Sequence, residues 1–214
     1  MPSLLDPIRP WPFGDLMSGS YGVIVIDPPW SFQNYSVKGV RKAPSWYYDT
    51  MTLDEIKAMP VRDLALPDSL LLLWTCGWAM ARGEAQDVAR AWGANPISEM
   101  IWRKVTVNGK SRMGTGYRVR TMHEPILVAT WGKPKHKALP SMFDGVLRSH
   151  SQKPVEFYQI VERKTRGLML RCNLFSAGEV HDGFEGWGRP HHAAGTDRPA
   201  PHSKARQAWE AAHA

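Results

Sequence analysis

Sulfur chemistry has little to work with in this chain: 214 residues carry only two cysteines. Cys76 and Cys172 lie far apart, each in or beside an apolar run, so neither a CxxC metal pair nor a disulfide framework is available. Both are expected to be buried free thiols, as in a reducing compartment. Long hydrophobic runs are missing as well. The most apolar stretch, "SLLLLWTCGWAM", falls short of the roughly 18 to 20 residues a membrane span requires, and the N-terminus lacks the charge-then-apolar order of a signal peptide. A soluble chain without a membrane partner is expected. Acids are the scarcer charge: 20 Asp and Glu stand against 27 Lys and Arg, a net of +7, which favours a polyanionic partner. No internal repeat is visible.

Apolar residues are plentiful: 43% of the chain is hydrophobic and ten residues are Trp, enough for the core of one folded domain. Five runs of strand length stand out, "YGVIVID" (21–27), "SLLLLW" (69–74), "ISEMIWR" (97–103), "EPILVATW" (124–131) and "GLMLRCNLF" (167–175). The first two and the last are apolar at nearly every position, as in strands covered on both faces. Between them lie helical segments. "TLDEIKAM" opens with the Thr52/Glu55 spacing of a capping box, "AMARGEAQDVARAW" stops before Gly93, and "KPVEFYQIVERKTRG" has Pro154 in its first turn and stops at Gly167. The alternation predicts an α/β fold, a mostly parallel sheet with helices on both faces. An N-terminal extension (1–19), a folded domain (20–189) and a flexible tail (190–214) are expected. His191, His192, His202 and His213 fall in that tail and read as surface residues, and no metal site is expected.

In open α/β sheets the ligand site lies beyond the carboxyl ends of the strands, which is where "DPPW" (27–30) stands. Asp27 presents two acceptor oxygens, Pro28 a free carbonyl, and Pro29 stiffens the turn. Two acceptors at fixed spacing suit an exocyclic amino group with two N–H donors. Trp30 offers a flat face on which a nucleobase can stack, worth roughly 1 to 3 kcal/mol. The bland alternative is a strand-capping turn with Trp30 packed on the core. Farther along, "SHSQKPVEFYQIVER" leads into a strand ending in "NLFSAG", where small residues let a ligand approach the backbone. Lys153, at the helix entry, is placed to pair with a carboxylate or phosphate.

Taken in order, "DPPW", "LLLLWT", "EMIWRK", "HEPILVATWG", "SHSQKPVEFYQIVER" and "NLFSAG" resemble the DPPW family of S-adenosylmethionine-dependent adenine-N6 methyltransferases. That family includes the catalytic subunit of the messenger-RNA adenosine methyltransferase and many bacterial and phage enzymes. The resemblance covers about residues 20 to 189. It implies a permuted Rossmann-like methyltransferase fold with S-adenosyl-L-methionine as cofactor. It also implies that Asp27 and the Pro28 carbonyl accept from the adenine amino group, that Trp30 stacks on the base, and that Lys153 holds the cofactor carboxylate. Asp27, Phe175 and Ser176 are further cofactor contacts on this reading. Arg189 stands where the family's "WGN" motif has its ribose-binding asparagine, leaving Glu179, Asp182 and Glu185 as candidates for the hydroxyls.

The expected substrate is adenine in DNA, with RNA as the alternative and a catalytically silent binding subunit as a rival. Two loops combine cations and aromatics as a strand-gripping surface would: Tyr35, Arg41, Lys42, Trp46 and Tyr47 in 31–49, and Lys104, Lys110, Arg112, Arg118 and Arg120 in 104–121. His123 and Glu124 read as core-edge residues. The resemblance allows a homodimer or heterodimer and implies the cytoplasm of a bacterial or phage-infected cell.

Overall fold

The computed structural model describes residues 11–31, 50–114, 118–148, 152–176 and 181–188. Tyr35, Arg41, Lys42, Trp46, Tyr47, Glu179, Arg189 and the C-terminal tail lie outside the described residues.

β1 (Tyr21–Ile26), β2 (Ala65–Trp74), β3 (Asn95–Val105), β4 (His123–Trp131), β5 (Met142–Val146), β6 (Arg171–Leu174) and β7 (Glu185–Trp187) form one sheet in the order β5-β3-β4-β2-β1-β6-β7. β4 runs antiparallel to both β2 and β3, whereas the other four pairings are parallel. The sheet is therefore mixed but mostly parallel. β1 is central and every one of its residues is buried, which is why its sequence shows no polar alternation.

Alternate residues of the central strands feed two cores. Val23, Val25, Leu70 and Leu72 face a layer containing Phe157, Tyr158 and Val161 of α4 (Val155–Lys164). Ile24, Ile26, Leu71 and Leu73 face the opposite layer, with α1 (Leu53–Lys57), α2 (Gly77–Ala81) and α3 (Glu84–Ala91). Helices thus cover both faces, as expected of an α/β Rossmann-like fold. Leu70 to Leu73 are all fully buried, each worth about 2 kcal/mol of transfer free energy. The described part of the N-terminal stretch joins the second core through Phe13 and Leu16.

Several boundaries differ from expectation, each for a local reason. The capping box of α1 forms as predicted, with Thr52 and Glu55 bonding each other's backbone. The run 79–92 is two helices, because Gly83 at φ 77 starts a new one. Pro154 is the N-cap of α4, one residue before the helix. Residues 167–170 are not strand: Leu170 has φ 45 and β6 begins at Arg171. β5 and β7 escape the sequence because they are short edge strands without an apolar run.

Candidate active site

β1, β2 and β6 are parallel, so their carboxyl ends point the same way and bring Asp27, Trp74 and Phe175 to one end of the sheet. The antiparallel β4 delivers its first residues, His123 and Glu124, to that same end. Chain segments from both halves of the sequence meet there.

Asp27 is anchored by its amide, which donates to the Leu174 carbonyl of β6 at 3.3 Å. Beyond it the backbone folds tightly. The Trp30 amide donates to the Pro28 carbonyl at 2.8 Å, and the Met51 amide donates to the Pro29 carbonyl at 2.9 Å. The Pro28 carbonyl, expected from the sequence to be free, is therefore partly engaged. One lone pair is taken by Trp30, which fixes the direction of the other. Trp30 also differs from expectation. The residue is only 5% exposed, its indole N–H donates to the Trp74 carbonyl at 3.0 Å, and its ring packs edge-on against Trp78 at 6.4 Å. In this arrangement Trp30 fastens the turn of β1 to the end of β2 instead of presenting an open face.

Lys153 meets Asp27 in space despite the distance in sequence. Its Nζ lies 2.8 Å from Asp27 Oδ2 and 3.1 Å from Glu124 Oε2. Lys104 Nζ lies 2.6 Å from Glu124 Oε1. The result is an alternating chain, Asp27–Lys153–Glu124–Lys104, with formal charges that cancel. Lys153 is the most enclosed member, with a side chain 12% exposed, and its ammonium sits 4.7 Å from the centre of the Trp74 ring. Such a contact adds cation–π attraction to the ion pairs.

Electrostatics follow from this packing. Burial pushes the Asp27 carboxyl up, and Lys153 only partly opposes it, so Asp27 stays above the ordinary range. Burial acts on Glu124 in the same direction, but Lys153 and Lys104 outweigh it and hold the carboxyl at about 2. Burial pulls the Lys153 ammonium down, yet Asp27 and Glu124 more than offset it and keep it firmly protonated. Two flanking lysines explain why Glu124 is the more firmly ionised acid.

Glu124 is thus a site residue, which sequence reading placed at the core edge. The available signal was an acid leading an otherwise apolar strand. Lys104, expected to grip a nucleic acid, pairs with Glu124 at 2.6 Å. Arg112 and Arg118 are exposed on the segment after β3; the Arg112 amide donates to the Lys104 carbonyl at 2.8 Å. Phe175 and Ser176 turn away from β6, with Phe175 in the left-handed region at φ 61. Asp182 is exposed, and Glu185 accepts a hydrogen bond from the Tyr21 hydroxyl. Burial pushes the half-buried Cys76 thiol up to about 12, which disfavours its thiolate.

A family profile described as MT-A70 matches residues 21–190, and that span takes in every element of the site. The chain belongs to the MT-A70 family. Among similar MT-A70 relatives is the N(6)-adenosine-methyltransferase MT-A70-like protein of Drosophila melanogaster, 32% identical over 79% of this chain and 26% of that protein. The N(6)-adenosine-methyltransferase catalytic subunit of Homo sapiens is 30% identical over 79% of this chain and 27% of its own length. An N6-methyladenosine RNA methyltransferase of Pyricularia oryzae is 27% identical over 74% of this chain and 45% of its own length. The chain spans about a quarter of the length of the first two.

The donor set fits the cofactor expected of an MT-A70 domain. The amino-acid end of S-adenosyl-L-methionine carries one carboxylate and one ammonium, so that end can enter a charge-balanced chain without adding net charge there, the molecule's remaining positive charge lying on its sulfonium sulfur. Its carboxylate can replace one of the two acids on Lys153. No helix among the described residues is long and apolar enough to cross a membrane.

Proposed function

We propose that this chain is a methyltransferase that uses S-adenosyl-L-methionine to methylate the N6 amino group of adenine in a nucleic acid, with RNA as the first substrate to test. The observation that carries it is the 2.8 Å approach of Lys153 to Asp27, which joins the expected cofactor residue to the expected acceptor of the adenine amino group. Family membership supports the reaction class. DNA, preferred from the sequence, has no support in the names of the relatives, whereas one relative is named for RNA.

The cofactor supplies an electrophilic methyl group on a sulfonium sulfur. The chain supplies orientation. Asp27 and the remaining lone pair of the Pro28 carbonyl accept from the two N–H bonds of the adenine amino group. That draws its lone pair out of conjugation and aims it along the line of transfer. Lys153 holds the cofactor carboxylate, and Glu124 keeps Lys153 in place when Asp27 turns to the base. Asp27 need not take a proton before attack, since the methylated amine sheds one to solvent afterwards. In a duplex the adenine would have to be turned out of the stack, which is easiest for unpaired strands. Arg112 and Arg118 are placed to meet phosphates around it. A second subunit is the partner to look for, since the human relative is named a "catalytic subunit"; a homodimer is the other arrangement the sequence allowed.

Nucleoside mass spectrometry after incubation with methyl-labelled cofactor and sequence-matched RNA and DNA pools tests this. Label on adenosine N6 in the RNA pool is expected. Label only in deoxyadenosine would move the substrate to DNA. Label in neither, with cofactor binding intact, would favour the silent-subunit reading.

A further inference from the structure

Phe175 is a non-glycine residue in the left-handed region at φ 61, and such a conformation persists only where its surroundings hold it. Its brace comes from β7. The Phe175 ring packs edge-on against Trp187, with centroids 5.3 Å apart and planes at 75°. The Ser176 amide donates to the Trp187 carbonyl at 3.2 Å. Gly188, at φ 144, lies so close that an added Cβ would stand 2.9 Å from Phe175 Cα.

β7 itself has only three residues and pairs with β6 alone, so it needs support from elsewhere. The segment before β1 gives it. Phe13, fully buried, packs edge-on on Trp187 with centroids 5.2 Å apart and planes at 81°. Trp11 packs the same way on Phe13 at 5.3 Å, and its indole N–H donates to the Leu16 carbonyl at 2.8 Å. A second tie runs in parallel: the Met17 amide donates to the Tyr21 hydroxyl at 3.2 Å, which donates in turn to Glu185 of β7. An aromatic ladder, Trp11–Phe13–Trp187–Phe175, thus connects the N-terminal segment to the turn at the end of β6.

We propose that Phe13 is a positioning residue for the cofactor: through Trp187 it holds the Phe175–Ser176 turn in the shape that receives S-adenosyl-L-methionine. This rests on the reading of the site given above. Phe13 touches no reacting atom. Its effect is to remove alternatives from a strained turn, so its loss is felt in cofactor affinity more than in the chemical step.

The test compares Phe13→Ala and the milder Phe13→Leu with Leu16→Ala, a control buried in the same segment but outside the ladder. Calorimetry with S-adenosyl-L-methionine and amide hydrogen exchange of the cofactor-free chain are both read. Phe13→Ala is expected to raise the cofactor Kd about tenfold and to raise its KM while kcat at saturation stays near wild type. Exchange should quicken at 174–176 and 185–188. Phe13→Leu shows the same pattern in smaller measure and decides the matter if Phe13→Ala does not fold. Leu16→Ala lowers the melting temperature but leaves Kd and local exchange unchanged. An unaltered Kd in both Phe13 variants overturns the proposal, as does an equal loss in Leu16→Ala. If the wild-type chain takes up no cofactor, the proposed function itself falls, and this inference with it.

Discussion

In the proposed function Asp27 faces the base and Glu124 supports it, and their opposite departures from ordinary carboxyl behaviour separate them. Asp27→Asn keeps the shape and one acceptor but replaces the other with a donor. Methyl transfer is expected to fall by about 10²- to 10³-fold, the scale of losing one oriented polar contact in a water-poor site. Cofactor binding measured by calorimetry should survive, and a kcat close to wild type would remove Asp27 from the chemistry. For Glu124, the sign follows from its carboxyl lying at about 2 instead of 4.5. Its contribution to stability is fully present above pH 4.5 and fades as the pH falls toward 2, a change on the order of 3 kcal/mol. Asp27, raised in the fold, acts the other way and costs stability as it ionises. Urea unfolding of wild type and Glu124→Gln from pH 2.5 to 5 isolates the difference. The wild-type rise in stability should be blunted in the variant, and parallel curves would show that Glu124 is not held ionised. The meeting of Asp27 and Lys153 could be anticipated because each sits in a distinctive string. Glu124 was not, because one acid at the head of a strand has no signature until another element brings a lysine to it. The burial of Trp30 was not legible for a related reason: a tryptophan at a strand end looks the same in sequence whether its N–H reaches water or the carbonyl of Trp74.

Among the elements, β5 sets the entry of α4 and therefore the height of Lys153. Gly145 of β5 leaves room for Pro154, since an added Cβ would stand 2.6 Å from both Pro154 Cβ and Trp102 Nε1. The Trp102 indole already donates to the Gly145 carbonyl at 2.9 Å, so the strand cannot slide away freely. Gly145→Ala is expected to cost about 1 to 3 kcal/mol as an overpacked contact and to weaken cofactor binding several-fold by displacing Lys153. Urea denaturation and calorimetry on one preparation check both, and a stability loss with an unchanged Kd would uncouple β5 from the site. Elements with strong periodicity or caps, such as β1, β2, β4 and α1, could be read from the chain. β5 could not, because "MFDGV" gains its strand character only by pairing with β3.

At the scale of the whole molecule, an excess of seven positive charges should draw nucleic acid in and make its binding salt-dependent. Replacing Arg112 and Arg118 together by Glu is expected to lower the slope of log K against log salt by about 2, uniformly across sequences. Fluorescence anisotropy with single-stranded oligonucleotides over a salt series measures it, and an unchanged slope would take both arginines off the nucleic-acid path. The fold class followed from alternating strands and helices, and both faces of the sheet are covered as expected. The antiparallel course of β4 did not show in the sequence, since strand direction is set by pairing and leaves no mark on composition.

β1 lies between β2 and β6, and the amide of Asp27 is fixed by a carbonyl at Leu174. On a ribosome adding about 5 to 20 residues per second, the acid therefore waits on the order of ten seconds for the partner that fixes it. The turn can close earlier through Trp30 and Met51, but until then Asp27 lacks its anchor at Leu174, and before residue 153 is made it lacks its lysine as well. The interior place of β1 makes the anchoring of its acid depend on residues made about 150 positions later.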